Sequence, residues 1–180
     1  MTALRPGAMI GILGGGQLGR MLASAAARLG FDVSIYCPEA DSPAARVAAH
    51  ATIGAYEDRG ALIGWAKTCD VITYEFENVP VEAVTGLIEA GCIVRPGAKA
   101  LEVSQDRHVE KSFLKACGIE TAAFAAVQDP SEIGDRIAAC GGQGILKTRR
   151  DGYDGKGQAR LAAGDDFGAA LKALQNAPCM

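Results

Sequence analysis

Near its start the chain carries a strand-like segment, a cluster of glycines and a helix-like segment in immediate succession. Met9–Leu13 is a short apolar run, and the three glycines that follow it precede apolar residues at helical spacing from 18 to 29. Gly30 then ends the helix, and the alternating, β-branched run 31–36 predicts a second strand. A strand, a helix and a strand of these lengths predict a right-handed βαβ unit with two parallel strands.

The same alternation continues to residue 94. It predicts three further helices and three further strands: helices over 43–49, 59–67 and 80–90, and strands over 51–53, 71–74 and 92–94. Short strands that alternate with helices form an open, doubly wound parallel sheet with helices on both faces. We therefore predict an α/β fold whose first domain, residues 1–103, is a Rossmann-like sheet.

From Ser104 onwards the order of predicted helices and strands changes. The pattern predicts helices over 104–117, 131–140 (capped by Ser131) and 165–175, and strands over 124–127, 145–148 and 159–161. The last two strands are joined by a glycine-rich loop and read as a long hairpin. Residues 104–180 therefore predict the beginning of a second, α+β domain, and we expect the chain to stop part-way through it.

Composition excludes several classes of protein. The chain has 18 Lys and Arg against 21 Asp and Glu, so it has no excess of cations with which to bind nucleic-acid phosphates. No apolar run reaches the roughly 18 residues that a membrane-spanning helix needs. The six cysteines are scattered singly and there are two histidines, so we expect reduced thiols in a cytoplasmic protein and no metal site within these residues.

The glycine cluster is the first candidate site. Gly14–Gly19 fits the pattern G-x-G-x-x-G between a strand and a helix, where glycines let backbone N–H groups approach an anion. Glu39, just past the second predicted strand, fits only loosely as the acid that would bind a ribose. An anion site, a dinucleotide site and a tight turn that needs glycine only for packing all stay open.

A pair of glutamates follows the fourth predicted strand. Glu75 and Glu77 are two residues apart and share one face of an extended segment. Ligands of open α/β sheets bind at the carboxyl ends of the strands, and carboxylates there favour a partner with hydroxyl or amine donors. A solvated acidic loop before the next helix is the other interpretation.

A lysine and a glycine-rich loop form the third candidate site. Lys147 lies in an apolar strand, and a lysine seldom occupies such a position without a partner. The loop that follows has glycines at 152, 155 and 157 and cations at 149, 150 and 156. Backbone N–H groups freed by glycine, together with cations, favour binding of a polyphosphate. An exposed hairpin with solvated charges is the alternative.

These motifs occur in the order and spacing of a known family: Gly14–Gly19 followed by Arg20–Leu22, then Tyr74–Asn78, Ser104–Arg107, and Lys147 with Arg149–Gln158. The set resembles the 5-(carboxyamino)imidazole ribonucleotide synthases of purine biosynthesis, which are ATP-grasp ligases. The resemblance implies an open parallel pre-ATP-grasp sheet followed by an incomplete ATP-grasp α+β subdomain. It also implies a homodimer that uses ATP, Mg²⁺ and bicarbonate to carboxylate 5-aminoimidazole ribonucleotide through carboxyphosphate.

The resemblance also implies roles for individual residues. Nucleotide contacts are implied for Arg107, Lys147, Gly152, Tyr153, Asp154, Gly155, Lys156, Gly157 and Gln158. Substrate contacts are implied for Gly16, Gln17, Leu18, Glu75, Asn78 and Tyr153. Asp154 and Lys156 are implied to lie nearest the reacting groups and are the candidate catalytic residues. The glycine cluster then serves a sugar-phosphate substrate rather than NAD.

The family's adenine-binding strand, Mg²⁺ ligands and several substrate-binding basic residues are expected beyond residue 180. We therefore expect that these 180 residues alone do not turn over. Other ATP-grasp ligases, such as a formate-dependent glycinamide ribonucleotide transformylase or a biotin carboxylase, share the lysine and the loop and stay open as alternatives. An NAD-binding Rossmann domain, which rests on Gly14–Gly19 alone, and a non-catalytic interaction module are alternatives of other classes.

Overall fold

The computed structural model describes residues 3–127, 129–152 and 156–180. The chain forms two compact units, Met1–Glu102 and Val103–Met180, here called the N-terminal and C-terminal units. Each unit has its own sheet and its own apolar core. In the described ranges no helix combines the length and the apolar character that crossing a membrane requires.

The N-terminal unit is built around a four-stranded parallel sheet in the order β3-β2-β1-β4. Its strands are β1 (Met9–Leu13), β2 (Asp32–Cys37), β3 (His50–Ile53) and β4 (Val71–Tyr74). Its helices are α1 (Gln17–Arg28), α2 (Arg59–Ala66) and α3 (Val81–Glu89), and α4 (Ala98–Ser104) follows them. The prediction of an open parallel α/β sheet is confirmed.

The two faces of this sheet pack against different helices. Ile12 lies in one buried cluster with Ala23 of α1, whereas Leu13 lies in another with Trp65 of α2. Successive strand residues point to opposite faces, so helices cover both sides of the central strand. This two-sided cover is why the strands read as continuous apolar runs in the sequence.

The single tryptophan fills the core beside the centre of β1. The indole N–H of Trp65 donates a hydrogen bond to the Ser34 hydroxyl at 2.8 Å, which satisfies both buried polar groups. Gly11 leaves room for the ring, because a Cβ at Gly11 would lie 3.0 Å from Trp65 Cη2 and 2.8 Å from Cys69 Sγ. A side chain at this position of β1 therefore has no free space.

The sheet also determines where a ligand can bind. The strand order reverses at β1, which pairs with β2 on one side and with β4 on the other. Ligands of open parallel sheets bind at such a reversal, outside the carboxyl ends of the strands. Leu13 and Tyr74 end β1 and β4 and are partners in the register. The segments that follow them, Gly14–Gly19 and Glu75–Asn78, therefore begin side by side.

The C-terminal unit is an antiparallel hairpin with helices packed on it. Its strands are β5 (Gln143–Lys147) and β6 (Gln158–Ala162), and its helices are α5 (Arg107–Ala116), α6 (Pro130–Ala139) and α7 (Phe167–Ala173). Leu146 and Leu161 pack in a buried cluster with residues of α6 and α7. Because side chains alternate along a strand, Ile145 and Lys147 lie on the face opposite Leu146.

Two predictions for the N-terminal unit are wrong. Residues 43–47 form turns instead of a helix. The Ala44 N–H donates to the Gly15 carbonyl at 3.0 Å and ties the segment to the glycine cluster. The strand predicted over 92–94 is a single bridge between Ile72 and Val94. Pro96 follows shortly and has no N–H with which to continue the ladder.

The helix predicted over 104–117 is confirmed as α5 but begins three residues later, and the preceding helix α4 was not predicted. α4 ends at Ser104 and α5 begins at Arg107. The carboxylate of Asp106 accepts hydrogen bonds from the N–H groups of His108 and Val109 and so starts a new helix.

Two further predictions for the C-terminal unit are also corrected. The strand predicted over 124–127 is a single bridge between Val127 and Cys179. Asp129, not Ser131, caps α6. The Ser131 hydroxyl donates to the Asp129 carboxylate instead, because Pro130 already occupies the first turn of the helix.

Two glycine substitutions test the packing of the sheet. Gly11→Ala should lower the free energy of unfolding of the N-terminal unit by about 1–3 kcal/mol, because its methyl group overlaps the Trp65 ring and Cys69. Gly64 lies in α2 with open space around it, so Gly64→Ala should raise that free energy by up to about 1 kcal/mol. Trp65 fluorescence during urea unfolding measures both changes. Equal midpoints for the two variants would contradict this packing.

Candidate functional site

The glycine turn, defined as Gly14–Gly19, connects β1 to α1 and surrounds the side chain of Glu75. The Glu75 N–H donates to the Leu13 carbonyl at 3.1 Å, which continues the pairing of β1 with β4. Its carboxylate oxygen Oε1 accepts a hydrogen bond from the Gly16 N–H at 2.9 Å. The first N–H groups of a helix lack partners inside the helix and favour a negative charge. Glu75 therefore satisfies the start of α1 from the neighbouring strand.

Two positions of this turn need glycine for different reasons. Gly14 has a φ of 117°, and a Cβ there would lie 2.8 Å from Glu75 Oε1. Gly15 is packed by the segment that follows β2, since a Cβ there would lie 2.5 Å from Ser42 Oγ. Side chains are thus excluded both by backbone conformation and by close packing.

The environment of Glu75 disfavours its negative charge. Burial raises the pKa of the Glu75 carboxyl, and the carboxylates of Glu77 and Glu39 raise it further, whereas the hydrogen bond from Gly16 lowers it. The balance leaves the pKa above the usual value of a glutamate. A ligand that donates hydrogen bonds or carries positive charge would relieve this cost. A second anion at the same place would add to it.

Apart from Tyr153, which lies outside the described residues, the other residues predicted on the substrate side follow β1 or β4. Gln17 and Leu18 occupy the first turn of α1, where Leu18 is 60% exposed. Asn78 is half-buried in the turn between β4 and α3. The fold therefore brings Gly16 and Glu75 into contact, and it places Gln17, Leu18 and Asn78 in the segments that follow β1 and β4.

Sequence reasoning missed the contact of Ser42 with the glycine turn. Ser42 is 3% exposed, and its hydroxyl accepts hydrogen bonds from the Cys37 thiol and the Ala45 N–H. A serine between an aspartate and a proline carries no signal that it will pack against a glycine more than twenty residues earlier.

Lys147 ends β5 and is held through its backbone. Its N–H donates to the Met180 carbonyl at 3.0 Å, and its carbonyl accepts from the Met180 N–H at 2.9 Å. None of the ion pairs or side-chain hydrogen bonds found among the described residues involves the Lys147 ammonium. Its charge is therefore available to an anionic ligand on the face of the hairpin opposite Leu146.

Arg107 and Lys147 border the same cavity. The cavity has a volume of about 570 Å³, and its walls include the apolar side chains of Phe124 and Ile145. The Arg107 guanidinium donates from Nη1 to the Thr148 carbonyl at 2.9 Å, beside Lys147. Lys111, Arg136 and Glu110 also line the cavity. An apolar wall with several cations at its border suits a ligand that has an apolar part and an anionic part.

Asp106 and Arg149 attach the start of α5 to the end of β5. Arg149 Nη2 lies 2.7 Å from Asp106 Oδ2, and the Arg107 N–H donates to the Arg149 carbonyl at 2.9 Å. Burial acts to raise the pKa of the Asp106 carboxyl. Hydrogen bonds from Arg149 and from the N–H groups of Val109 and His108 outweigh burial and lower that pKa. The pair therefore holds Arg107 in place next to Lys147.

The two ends of the glycine-rich loop meet at Gly152 and Gly157. Both have positive φ, 89° and 71°, and the Thr148 N–H donates to the Gly157 carbonyl at 2.9 Å. Lys156 is exposed, and Gln158 lies opposite Lys147 in the register of the hairpin. The predicted site residues Tyr153, Asp154 and Gly155 lie outside the described residues.

Comparison with known proteins identifies the family. Residues 8–105 match the ribonucleotide synthetase preATP-grasp domain, and residues 112–180 match the ATP-grasp domain. The chain belongs to the ribonucleotide synthetase preATP-grasp family. The family resemblance predicted from the motifs is confirmed, and so is the prediction of a pre-ATP-grasp sheet followed by part of an ATP-grasp domain.

Related proteins match almost the whole chain. A N5-carboxyaminoimidazole ribonucleotide synthase of Brucella melitensis is 53% identical over 99% of this chain and 50% of its own length. The crystal structure of the Staphylococcus aureus synthetase complexed with ADP has a TM-score of 0.88 and 38% identity, covering 98% of this chain and 47% of that one. The Aspergillus clavatus synthase in complex with ADP and 5-aminoimidazole ribonucleotide has a TM-score of 0.82 and 31% identity, covering 97% and 46%. The chain thus spans about half the length of these relatives.

The raised pKa of Glu75 predicts a pH-dependent stability. The folded-state pKa lies above the unfolded value of about 4.3, so stability from the protonated group is complete below about pH 4 and is lost as the pH rises through the folded pKa. Glu75→Gln removes the charge and keeps an oxygen that can accept from Gly16. It should raise the urea midpoint of the N-terminal unit at pH 7, followed by Trp65 fluorescence, and leave it unchanged near pH 4.

Glu82→Gln is the matched control, because Glu82 is exposed in the first turn of α3. Its charge is favourable at a helix N-terminus, so this substitution should not raise the midpoint at pH 7. A lower midpoint for Glu75→Gln than for the unsubstituted protein at pH 7 would contradict the electrostatics described for Glu75.

Asp106 should stabilise the start of α5 in two separable ways. Asp106→Ala removes both the helix cap and the ion pair with Arg149. It should lower the free energy that protects the Val109 amide from hydrogen exchange by about 1–2 kcal/mol. Asp106→Asn keeps a capping oxygen and should lose less. Amide hydrogen exchange of Val109 in the three proteins measures this order, and equal protection in all three would show that Asp106 does not hold the helix.

Proposed function

We propose that this chain supplies the amine-substrate site and the nucleotide-phosphate site of an N5-carboxyaminoimidazole ribonucleotide synthase. In the proposed reaction ATP activates bicarbonate, and the exocyclic amine of 5-aminoimidazole ribonucleotide is carboxylated. One observation carries the proposal: Arg107 and Lys147 border one cavity in a chain that is matched over 98% of its length by a synthetase complexed with ADP.

The assignment of the nucleotide site rests on the charges and the apolar walls of the cavity in the C-terminal unit. Lys147 and Arg107 present two cations at the border of a cavity of about 570 Å³ whose walls are largely apolar. Phosphates concentrate negative charge, and their transfer is accelerated chiefly by cations and N–H groups fixed in position beforehand. We assign ATP to this site, with its phosphates at Arg107, Lys147 and Lys156. The assignment of Tyr153, Asp154 and Gly155 to the same site follows from the family resemblance.

The substrate side rests on the glycine turn and Glu75. In a dinucleotide site the Gly16 N–H would donate to the pyrophosphate. Here it already donates to the Glu75 carboxylate, which would repel a second anion at the same place. A neutral amine or a ribose hydroxyl can instead donate to this carboxylate, whose raised pKa favours such a partner. We therefore assign the amine or a ribose hydroxyl of 5-aminoimidazole ribonucleotide, and not its phosphate, to the place beside Glu75, with Gln17, Leu18 and Asn78 as further contacts.

The proposed chemistry proceeds in two transfers. An oxygen of bicarbonate attacks the γ-phosphorus of ATP, so that ADP leaves and carboxyphosphate forms. The substrate amine then attacks the carboxyl carbon, a nitrogen–carbon bond forms, phosphate leaves and the amine loses a proton. We propose that Lys156 stabilises the negative charge that develops on the transferred groups. We propose that Asp154 accepts the proton that the amine loses.

Magnesium accompanies ATP in the proposed reaction. Residues 3–127, 129–152 and 156–180 hold no group of three or more His, Cys, Asp or Glu that could bind a metal. We propose that the metal is held by the nucleotide's phosphates and by residues beyond position 180. A homodimer in the cytoplasm is proposed from the family resemblance and from the scattered cysteines.

Lys147→Ala tests the nucleotide site. The assay uses a protein of the relatives' full length that contains these 180 residues, hereafter called the full-length enzyme. Production of ADP with 5-aminoimidazole ribonucleotide and bicarbonate should fall about a hundredfold, because a fixed charge at the transferred phosphate is lost. Lys172→Ala, an exposed lysine at the end of α7, is the matched control and should change ADP production less than twofold. Unchanged ADP production in Lys147→Ala would count against the assignment.

The same assay separates the remaining ATP-grasp alternatives. ADP release should be stimulated by 5-aminoimidazole ribonucleotide with bicarbonate, and not by glycinamide ribonucleotide with formate or by biotin. Stimulation by either of the latter would replace the proposed substrate with another member of the same enzyme class.

A further inference from the structure

Thr148 carries the one buried side-chain oxygen or nitrogen without a hydrogen-bond partner in the part of the chain that the structure describes. Thr148 is 8% exposed, and its Oγ1 has no contact with solvent to compensate. A buried hydroxyl in this state is unfavourable, and each such case in a folded protein calls for a physical reason. Neither the fold nor the nucleotide site as described above uses this hydroxyl.

The hydroxyl lies where the two ends of the glycine-rich loop meet. A Cβ at Gly157 would lie 2.7 Å from Thr148 Oγ1, and a Cβ at Gly152 would lie 3.2 Å from it. The same Cβ position at Gly152 is 2.7 Å from the Lys156 carbonyl oxygen. The unpaired donor and the Lys156 carbonyl therefore border one small space, which is open only because residue 152 is a glycine.

The backbone of Thr148 is fixed on both sides. Its N–H donates to the Gly157 carbonyl at 2.9 Å, and its carbonyl accepts from Arg107 Nη1 at 2.9 Å. The peptide between Lys156 and Gly157 has more freedom, because Gly157 has a φ of 71° and can adopt both positive and negative values. Thus the Lys156 carbonyl, not Thr148, is the group that can move to make the missing bond.

We propose that Thr148 is a positioning residue for Lys156, a role that rests on the proposed function of the nucleotide site. When the Lys156 ammonium is drawn to the phosphates of ATP, the peptide between Lys156 and Gly157 rotates, and its carbonyl accepts a hydrogen bond from the Thr148 hydroxyl. The bond fixes the backbone of Lys156 relative to Lys147, which is the residue adjacent to Thr148. This bond gives the buried hydroxyl a partner and removes the free-energy cost of leaving it unpaired, which favours the rotated arrangement.

Thr148→Val in the full-length enzyme tests this role. Valine keeps the shape of threonine and lacks the hydroxyl, so it cannot make the bond to Lys156. We expect kcat to fall about tenfold at saturating ATP, in line with the loss of one hydrogen bond that acts during the reaction. KM for ATP should change less than twofold, since Arg107 and Lys147 are unaltered. Thr148→Ser keeps the hydroxyl and should retain kcat within about twofold.

Thermal unfolding separates positioning from a structural role. The hydroxyl makes no bond among the described residues, so Thr148→Val should unfold at the same temperature as the unsubstituted enzyme or at a higher one. A lowered unfolding temperature with proportional loss of activity, or an unchanged kcat in Thr148→Val, would overturn the proposal. The same holds if Thr148→Ser loses as much kcat as Thr148→Val.

The outcome also distinguishes this proposal from the proposed function. If the unsubstituted full-length enzyme forms no ADP with 5-aminoimidazole ribonucleotide and bicarbonate, the function fails and the role of Thr148 fails with it. If that enzyme is active and Thr148→Val matches it, only the role of Thr148 fails.

Discussion

The hydrogen bond between the Gly16 N–H and the Glu75 carboxylate is the contact around which the N-terminal site is organised. It exists because β1 and β4 are parallel neighbours, so the segments that follow them leave the sheet at the same edge. The carboxylate then occupies the space where a side chain at Gly14 would lie. Its burial raises its pKa, and a hydrogen-bond donor of a ligand would stabilise its charged form. Thus a glycine pattern that looks like a dinucleotide site is shaped around an anion of the protein itself.

The C-terminal unit places two cations, Arg107 and Lys147, at the border of one cavity. Arg107 starts a helix and Lys147 ends a strand, and they come together because α5 is attached to the residues after β5. The Asp106–Arg149 ion pair and the hydrogen bonds from Arg107 to the carbonyls of Thr148 and Arg149 make this attachment. Both contacts of the Arg107 guanidinium and of its backbone go to neutral carbonyls, and Lys147 is held through its backbone, so neither positive charge is neutralised by these contacts.

Local signals predicted the first βαβ unit closely, because apolar periodicity and the glycines that end each element act over a few residues. The contact between Gly16 and Glu75 could not be predicted in this way, since it joins residues 59 positions apart. The hydrogen bond from Ala44 to Gly15, in the segment where turns replace the helix predicted over 43–49, also joins residues that are distant in sequence. Lys147 and the loop glycines stand out by residue type, whereas Thr148 becomes notable only when its hydroxyl is seen to be buried and unpaired.

In the function that we propose, the N-terminal unit binds the amine substrate and the C-terminal unit binds the phosphates of ATP. Amide chemical shifts of the isotope-labelled full-length enzyme test it directly, with each ligand added separately. ATP should move the signals of Arg107, Thr148 and Gly157, whereas 5-aminoimidazole ribonucleotide should move those of Gly16 and Glu75, and NAD should move neither set. Displacement of the Gly16 signal by ATP or NAD, with the Thr148 signal unmoved, would contradict this division of the two binding sites.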